Sequence, residues 1–411
     1  MLAWGIIIPA TAGVIVRPFR LPEAVWALAG AAALVAVGVL PWIDALGGVR
    51  KGLDVYLFLI GMMLIAELAR REGLFDYLAA FAVEHARGSP HRLFLLIYVV
   101  GTLVTVFLSN DATAIVLTPA VYAATRAAGA TPLPYLLVCA FIANAASFVL
   151  PISNPANLVV FGDRMPHLAD WLRQFTLPSV AAIVLTYASL RLTQYRALKD
   201  ERIRADAAKP HLSHEGKLAA IGIAAIAVVL LTASALDWPL GLPTFACGAL
   251  TTAAVLLLSR QSPWPLLKDV SWGVLPLVAG MFVMVEALVR TGAIAALANL
   301  LHDSVAQSAS NTAWGTGLII ALADNIANNL PVGLVAGSVV GHDHLPTAVI
   351  RAVLIGVDLG PNLSVTGSLA TILWLVALRR EELHVGAWHF LRLGIVVMPP
   401  ALLAALAAVI W

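Results

Sequence analysis

The chain consists mostly of long apolar runs separated by short polar interruptions. Apolar runs of about 20 residues cross a bilayer as a helix, and ten runs approach or exceed that length: 2–16, 22–43, 53–69, 133–160, 174–193, 217–236, 240–258, 270–289, 345–375 and 391–411. Residues 73–86 and 292–306 mix apolar and charged positions and predict interfacial helices. The pattern predicts an all-α polytopic membrane protein with about ten transmembrane helices.

Two further apolar runs, 93–125 and 312–341, are too long for one crossing and are polar in the middle. Each predicts a re-entrant helical hairpin with its polar tip near the midplane. The long runs 133–160 and 345–375 also contain amide, carboxylate, glycine and proline residues, and these predict broken helices. Irregular backbone at bilayer depth survives only where it lines a cavity or is buried in protein.

The two halves of the chain resemble each other. Five positions recur at an offset of 219 residues: Gly61 with Gly280, Met62 with Met281, Glu67 with Glu286, Arg71 with Arg290, and Gly73 with Gly292. Each half contains one hairpin and one broken helix, a pattern typical of secondary transporters with a central site. We therefore predict a first inverted repeat at 1–193, a linker at 194–217 and a second inverted repeat at 218–411.

The distribution of basic residues predicts the orientation in the membrane. If hairpins do not cross, each half has about five crossings, and an odd number inverts the second half. With both termini outside, 19 of the 25 Lys and Arg residues fall on the inner side. This agrees with the positive-inside rule and predicts a multi-pass protein of the inner (plasma) membrane with a cytoplasmic 194–217 loop.

Composition excludes several other classes. Hydrophobic residues make up 61% of the chain and charged residues 12%, whereas soluble domains carry about 25% charged residues. The net charge of +2 gives no indication of nucleic-acid binding. Cys139 and Cys247 lie in apolar runs and are predicted core residues. No metal-ligand, cofactor or catalytic motif is evident, so we predict neither a cofactor nor an enzyme.

The polar residues at the breaks could bind a small solute. Amides donate and accept hydrogen bonds, hydroxyls do both, and such a lining suits a small polar solute or a cation. The alternative is hydrogen bonding between helices, worth about 0.6–2 kcal/mol each. The predicted solute-binding residues are Asn110, Asn144, Ser153, Asn154, Asn157, Asn328, Asn329, Thr366 and Ser368.

Three carboxylates fall inside predicted membrane segments: Asp111, Asp324 and Asp358. Burial penalises the charged form of a carboxylate, which makes proton exchange feasible. We predict that at least one of the three couples transport to protons, with Asp111 and Asp358 ahead because they lie within the breaks. The alternative is a structural role for these residues. Glu67 with Arg71, and Glu286 with Arg290, are predicted ion pairs within a helix.

At these motifs the sequence resembles the arsenite efflux permease family (arsenical pump membrane proteins) of the ion transporter superfamily. The resemblance covers nearly the whole chain. The stretches that carry it are 109–119, 143–145 with 153–158, 328–331, and 358–371. The sodium–dicarboxylate members of the superfamily have Ser-Asn-Thr at the hairpin tips, whereas this chain has Ser109-Asn110-Asp111 and Asn328-Asn329-Leu330.

The resemblance implies export of trivalent arsenite and antimonite driven by the proton motive force, with a cytosolic ATPase subunit as a candidate partner. Arsenite near neutral pH is mostly an uncharged trihydroxide, and no Arg or Lys lies at a predicted break to bind a carboxylate substrate. A sodium/proton antiporter of the same superfamily remains the main alternative, and a passive channel is another.

Overall fold

The computed structural model describes residues 2–199, 201–204, 211–342 and 345–410, which form helices joined by short turns. No β-strand occurs within these ranges. The prediction of an all-α polytopic membrane protein is confirmed.

The first half contains twelve α-helices in the described part of the chain. In order they are α1 (Leu2–Val16), α2 (Glu23–Ala36), α3 (Trp42–Lys51), α4 (Leu53–Arg71), α5 (Leu74–Ala86), α6 (Pro90–Phe107), α7 (Asn110–Ala112), α8 (Thr118–Ala127), α9 (Leu133–Ala145), α10 (Pro155–Phe161), α11 (Leu168–Thr193) and α12 (Tyr195–Lys199). A π-helical turn, Thr113–Leu117, joins α7 to α8, and short 3₁₀ turns cover Pro18–Arg20, Pro151–Ser153 and Gly162–Arg164.

The second half repeats the same order of elements with few exceptions. Its helices are α13 (His214–Ala235), α14 (Gly241–Leu258), α15 (Pro263–Asp269), α16 (Val274–Arg290), α17 (Ala293–Gln307), α18 (Ala309–Ala327), α19 (Asn329–His342), α20 (Thr347–Leu359), α21 (Leu369–Arg380) and α22 (Ala387–Ile410), with a 3₁₀ turn at Gly360–Leu363. Gly73 and Gly292, 219 residues apart, both precede a helix in the left-handed conformation, with φ of 73° and 77°. The correspondence extends to the backbone, while the opposed orientation of the halves stays a prediction.

Length and composition qualify five helices as membrane spans: α6, α11, α13, α14 and α22. Two bent pairs, α3 with α4 (47°) and α15 with α16 (43°), bring the number to seven when each pair is one span. The other predicted crossings correspond to shorter helices, α1 and α2, and to the broken pairs α9–α10 and α20–α21. Sequence reasoning missed α3 and α15, because both are short and carry charges.

Each half contributes a helix that packs against the other half. Gly61 on α4 contacts α14 so closely that a Cβ there would lie 2.3 Å from the backbone oxygen of Thr244. Gly280, the equivalent residue on α16, contacts α2, where a Cβ would lie 2.7 Å from the backbone of Ala27. Small residues allow this approach between membrane helices. The exchange joins both halves into one scaffold.

Ion pairs reinforce this exchange, and they differ from the predicted ones. Glu67 pairs with Arg70, not with Arg71, and Arg70 also reaches Asp269 of α15 at 3.1 Å. In the other half, Lys51 of α3 pairs with Glu286 at 2.6 Å, and Arg290 pairs with Asp44. The predicted pairs were wrong because Glu67 pairs with Arg70 of its own helix, whereas Glu286 and Arg290 each pair with a residue of α3 in the other half.

The chain reverses direction at both predicted hairpins. In the first, the hydroxyl of Thr113 lies 2.8 Å from that of Thr105, so the second arm returns along α6. The break falls at Ser109, whose backbone is extended. In the second, α18 contacts α19 across Asn328, which has a φ of 71°. That the two tips stop near the midplane stays a prediction.

Candidate functional site

The tip of the first hairpin borders a large cavity of about 770 Å³. Ser109 accepts a hydrogen bond from the backbone N–H of Ala112 at 3.2 Å and begins α7. The Asn110 side chain turns back to the N–H of Asp111 at 2.9 Å and is buried. Asp111 is only partly buried, and its carboxylate lines the cavity together with Ser109.

The cavity wall brings together the two halves of the chain and carries an excess of acidic groups. Pro155 at the start of α10 lines it, as does the α21 segment 373–381. Its charged residues are five acids and three bases: Glu67, Asp76, Asp111, Asp269 and Glu381, with Arg70, Lys268 and Arg380. Arg70 is already paired with two of the acids. A cleft of this sign attracts cations or neutral solutes more readily than multiply charged anions.

The two broken helices cross each other beside this cavity. Asn144 donates to the side-chain oxygen of Asn362 at 3.0 Å, and Asn362 donates to the backbone oxygen of Phe141 at 3.0 Å. Asn154 donates to Asp358 Oδ1 at 2.5 Å. Asn144 and Asn362 are therefore direct partners between the two breaks, and both are fully buried.

Four of the predicted site residues hold the backbone of the breaks. Asn157 donates to three carbonyl oxygens of the loop before α10, at 2.9–3.3 Å. Ser153 donates to the backbone oxygen of Val106 at 3.0 Å and so ties this loop to α6. Ser368 caps α21 through the N–H of Thr371 at 3.1 Å, and Asn154 caps α10. A direct role of these four in solute binding stays a prediction.

The second hairpin tip is tied to the second break. Asn328 donates to the backbone oxygen of Thr366 at 3.2 Å, and the backbone N–H of Asn329 donates to Gly367 at 2.8 Å. Asn325, which sequence reasoning did not select, donates to the Gly360 oxygen at 2.9 Å. Its position beside Asp324 inside an apolar run is the feature of the sequence that could have identified it. A void of only about 20 Å³ borders Asn328. The second hairpin tip therefore has no large cavity beside it, unlike the first.

The three carboxylates occupy two different environments. Asp111 faces the cavity, whereas Asp324 and Asp358 are fully buried. Asp324 lies in the last turn of α18, and Asp358 lies in the last turn of α20, which packs on α18. The structure therefore groups Asp358 with Asp324 and separates both from Asp111.

A second cavity, of about 600 Å³, adjoins the other end of α10. Leu158, Val159 and Gly162 line it, whereas Pro155 at the start of the same helix lines the first cavity. The seven-residue helix α10 thus separates the two cavities. Neither Cys139, which is buried, nor Cys247, which is partly exposed, is among the lining residues of either cavity.

Comparison with known proteins gives a consistent result. The profile of the citrate transporter family matches residues 7–356. The arsenical pump membrane protein of Escherichia coli is 27% identical over 360 residues, which cover 85% of this chain and 84% of that protein. The corresponding protein of Yersinia enterocolitica is 28% identical over 367 residues, with the same shares covered. The predicted resemblance to this group is confirmed.

Two further matches extend over more of the chain. An uncharacterised transporter of Mycobacterium tuberculosis is 28% identical over 418 residues, covering 96% of this chain and 94% of its own. Among solved structures, the YdaH transporter of Alcanivorax borkumensis matches with a TM-score of 0.57 at 15% identity, covering 90% of this chain and 87% of that one. That structure, described as having an unusual topology, shares the fold.

Proposed function

This chain belongs to the citrate transporter family, and from that premise we propose that it exports trivalent arsenite and antimonite from the cytoplasm in exchange for protons. As a member of this family it is a multi-pass membrane transporter. The finer assignment is supported by the identity to arsenical pump membrane proteins over 85% of the chain.

The observation that carries the choice of solute is the charge of the large cavity. Citrate at neutral pH carries several carboxylates, which proteins bind through Arg and Lys. The wall of this cavity holds two more acids than bases, and Arg70 is already engaged with Glu67 and Asp269. An uncharged trihydroxide meets no such repulsion and can hydrogen-bond to the hydroxyl of Ser109 and the carboxylate of Asp111.

Three carboxylates that are buried or line the large cavity support proton coupling. Asp111 is reached from the cavity, whereas Asp324 and Asp358 are buried beside the crossing breaks. We propose that at least one of these groups takes up a proton in one orientation and releases it in the other. In the orientation predicted from charge, Arg70, Lys268 and Arg380 face the cytoplasm, so the large cavity is the loading side.

The direct test is arsenite uptake into inside-out membrane vesicles with a pH gradient imposed and then collapsed. We expect gradient-driven accumulation in the wild type, no accumulation with Asp111→Asn, and wild-type behaviour with the exposed control Asp303→Asn. Excess citrate is expected not to compete. A wild type that moves no arsenite with the gradient, or that citrate inhibits, would contradict the proposal.

A sodium/proton antiporter is the second candidate, because carboxylate and amide oxygens are ligands that hard cations accept. It predicts sodium-dependent proton movement in the same vesicles without any metalloid. Movement that depends on neither gradient would instead indicate a passive channel. A cytosolic ATPase subunit remains an expectation from the family resemblance, and copurification from cells tests it.

A further inference from the structure

We propose that Asp324 and Asp358 form one occluded site for a single monovalent cation, a proton or a sodium ion, distinct from the solute-contacting Asp111. The inference deepens the proposed function and rests on it for the meaning of the site, since the bound ion would be the one that drives transport. It assigns the coupling ion to the second half of the chain and solute contact to the first.

Asp324 closely approaches the second break. Helix α18 packs directly on α20 and on the turn that follows it. A Cβ added to Gly360 would lie 2.5 Å from Ala321 Cα and 2.7 Å from Asp324 Oδ2. The Asp324 carboxylate therefore lies against the backbone two residues after Asp358.

The buried atoms near this approach that lack a hydrogen-bond partner are all acceptors. Both oxygens of Asp324 and Oδ2 of Asp358 are buried and accept no hydrogen bond from the described residues. Asn144 Oδ1, at the adjoining contact between the breaks, is a further buried acceptor without a donor. Every such orphan at this crossing is an oxygen. A cluster of buried acceptors that lacks donors requires a positive charge or a proton.

The described side chains of the surrounding helices place no positive charge beside these oxygens. Helices α9 and α10 carry no charged residue, and α18 carries only Asp324. On α20, Arg351 lies two turns from Asp358 and is bound to Gln174 at 3.0 Å. Among the described side chains on neighbouring helices, His302 and Asp303 on α17 and His389 and Arg392 on α22 are exposed. Tyr135 and Cys139 on α9 are buried but supply no positive charge.

The two buried carboxylates need a neutralising ion, and one of them is bonded to the first half of the chain. Two like charges cannot both stay ionised in a buried site, so a bound cation or a proton on one carboxylate must neutralise one of them. Asn154 fixes Asp358 through its 2.5 Å hydrogen bond, and it belongs to the first half. Movement of the first break relative to the second would therefore open or close the ion site together with the solute path.

The first test needs no solute, so its outcome does not depend on the identity of the cargo. The melting temperature of purified protein is measured across about pH 5 to 9, with and without sodium. If the site binds a proton, wild-type stability falls as pH rises, because deprotonation leaves unbalanced buried negative charge. If it binds sodium, added sodium raises the melting temperature at high pH.

The variants Asp324→Asn and Asp358→Asn keep the side-chain shape and remove one buried charge each. Both are expected to lose this pH or sodium dependence, whereas Asp303→Asn keeps it. The inference is overturned if the wild type responds to neither ion, or if both variants respond as the wild type does.

The second test separates ion coupling from solute binding. Arsenite-for-arsenite exchange is measured without any gradient, beside gradient-driven accumulation. Asp324→Asn and Asp358→Asn are expected to keep exchange and lose accumulation, whereas Asp111→Asn loses both. Accumulation that survives in both buried-site variants would overturn the inference, while a wild type with no arsenite movement would refute the proposed solute and leave the melting test decisive.

Discussion

Helix α19 contains a pair of glycines, one turn apart, whose replacement tests how tightly the second hairpin holds α10. A Cβ on Gly337 would lie 2.7 Å from the backbone oxygen of Val159 and 2.8 Å from that of Val160. A Cβ on Gly333 would meet only the side chains of Val357 and Val160, at 3.4 and 3.5 Å. The first distances are too short for a real contact, and the second are ordinary.

The two alanine substitutions should therefore change the free energy of unfolding in opposite directions. Both substitutions raise the free energy of unfolding by about 0.5–1 kcal/mol, because alanine loses less conformational freedom than glycine when a helix folds. Only Gly337→Ala must also push the α10 backbone away, and overpacking of this kind costs about 1–3 kcal/mol. We expect the free energy of unfolding to be lower for Gly337→Ala than for Gly333→Ala by about 1–3 kcal/mol.

The assay is thermal unfolding of the purified variants, followed by gradient-driven transport. Because α10 separates the two cavities, its displacement in Gly337→Ala is expected to impair accumulation more than Gly333→Ala does. Gly315→Ala provides a second control, since nothing lies within 4 Å of the added atom. A Gly337→Ala protein as stable and as active as Gly333→Ala would refute the reasoning.

Three further predictions concern the site and its cavities. In a background without Cys247, Ser109→Cys and Val159→Cys should react with a membrane-impermeant thiol reagent from opposite sides, and labelling from one side only would contradict the two-cavity arrangement. Asn362→Ala should lower the free energy of unfolding by about 1–3 kcal/mol, because it leaves buried partners unsatisfied, and an unchanged melting temperature would contradict this. Arg70→Gln should lower the free energy of unfolding by about 1–3 kcal/mol, because it leaves the buried carboxylate of Glu67 without its charged partner, and a melting temperature equal to that of the wild type would refute it.

The positions of the breaks could be predicted from the sequence because each one places polar residues, glycine or proline inside an apolar run. Ser109 and Asn328 mark the reversals of both hairpins, as expected. The reason is local: a backbone that cannot continue its helix exposes donors and acceptors, and the side chains that satisfy them are adjacent in sequence. Breaks of this kind can be recognised without any long-range information.

Contacts between the halves could not be predicted in the same way. Glu67 was paired with the wrong arginine because Asp269, nearly 200 residues away, draws Arg70 toward the other half. Asn325 was passed over because its partners, the Gly360 oxygen and Ser364, belong to the next break. Such pairs depend on which helices contact each other in the fold. Hydrophobic periodicity predicts the helices but not their contacts.

The two halves of the chain correspond in their helices and breaks but not in their carboxylates. The helices before the two breaks, α9 and α20, have the same length and lie at an offset of 214, so Asn144 and Asp358 hold equivalent places. Asn154 and Ser368, which cap the helices after the breaks, are also 214 residues apart. At the offset of 219 that relates the hairpins, Leu330 stands opposite Asp111 and Thr105 stands opposite Asp324. The repeat therefore supplies matched breaks, while each carboxylate occurs in one half alone. Because a symmetric site would bind the same ligand twice, this asymmetry agrees with our proposal that one half contacts the solute and the other holds the ion.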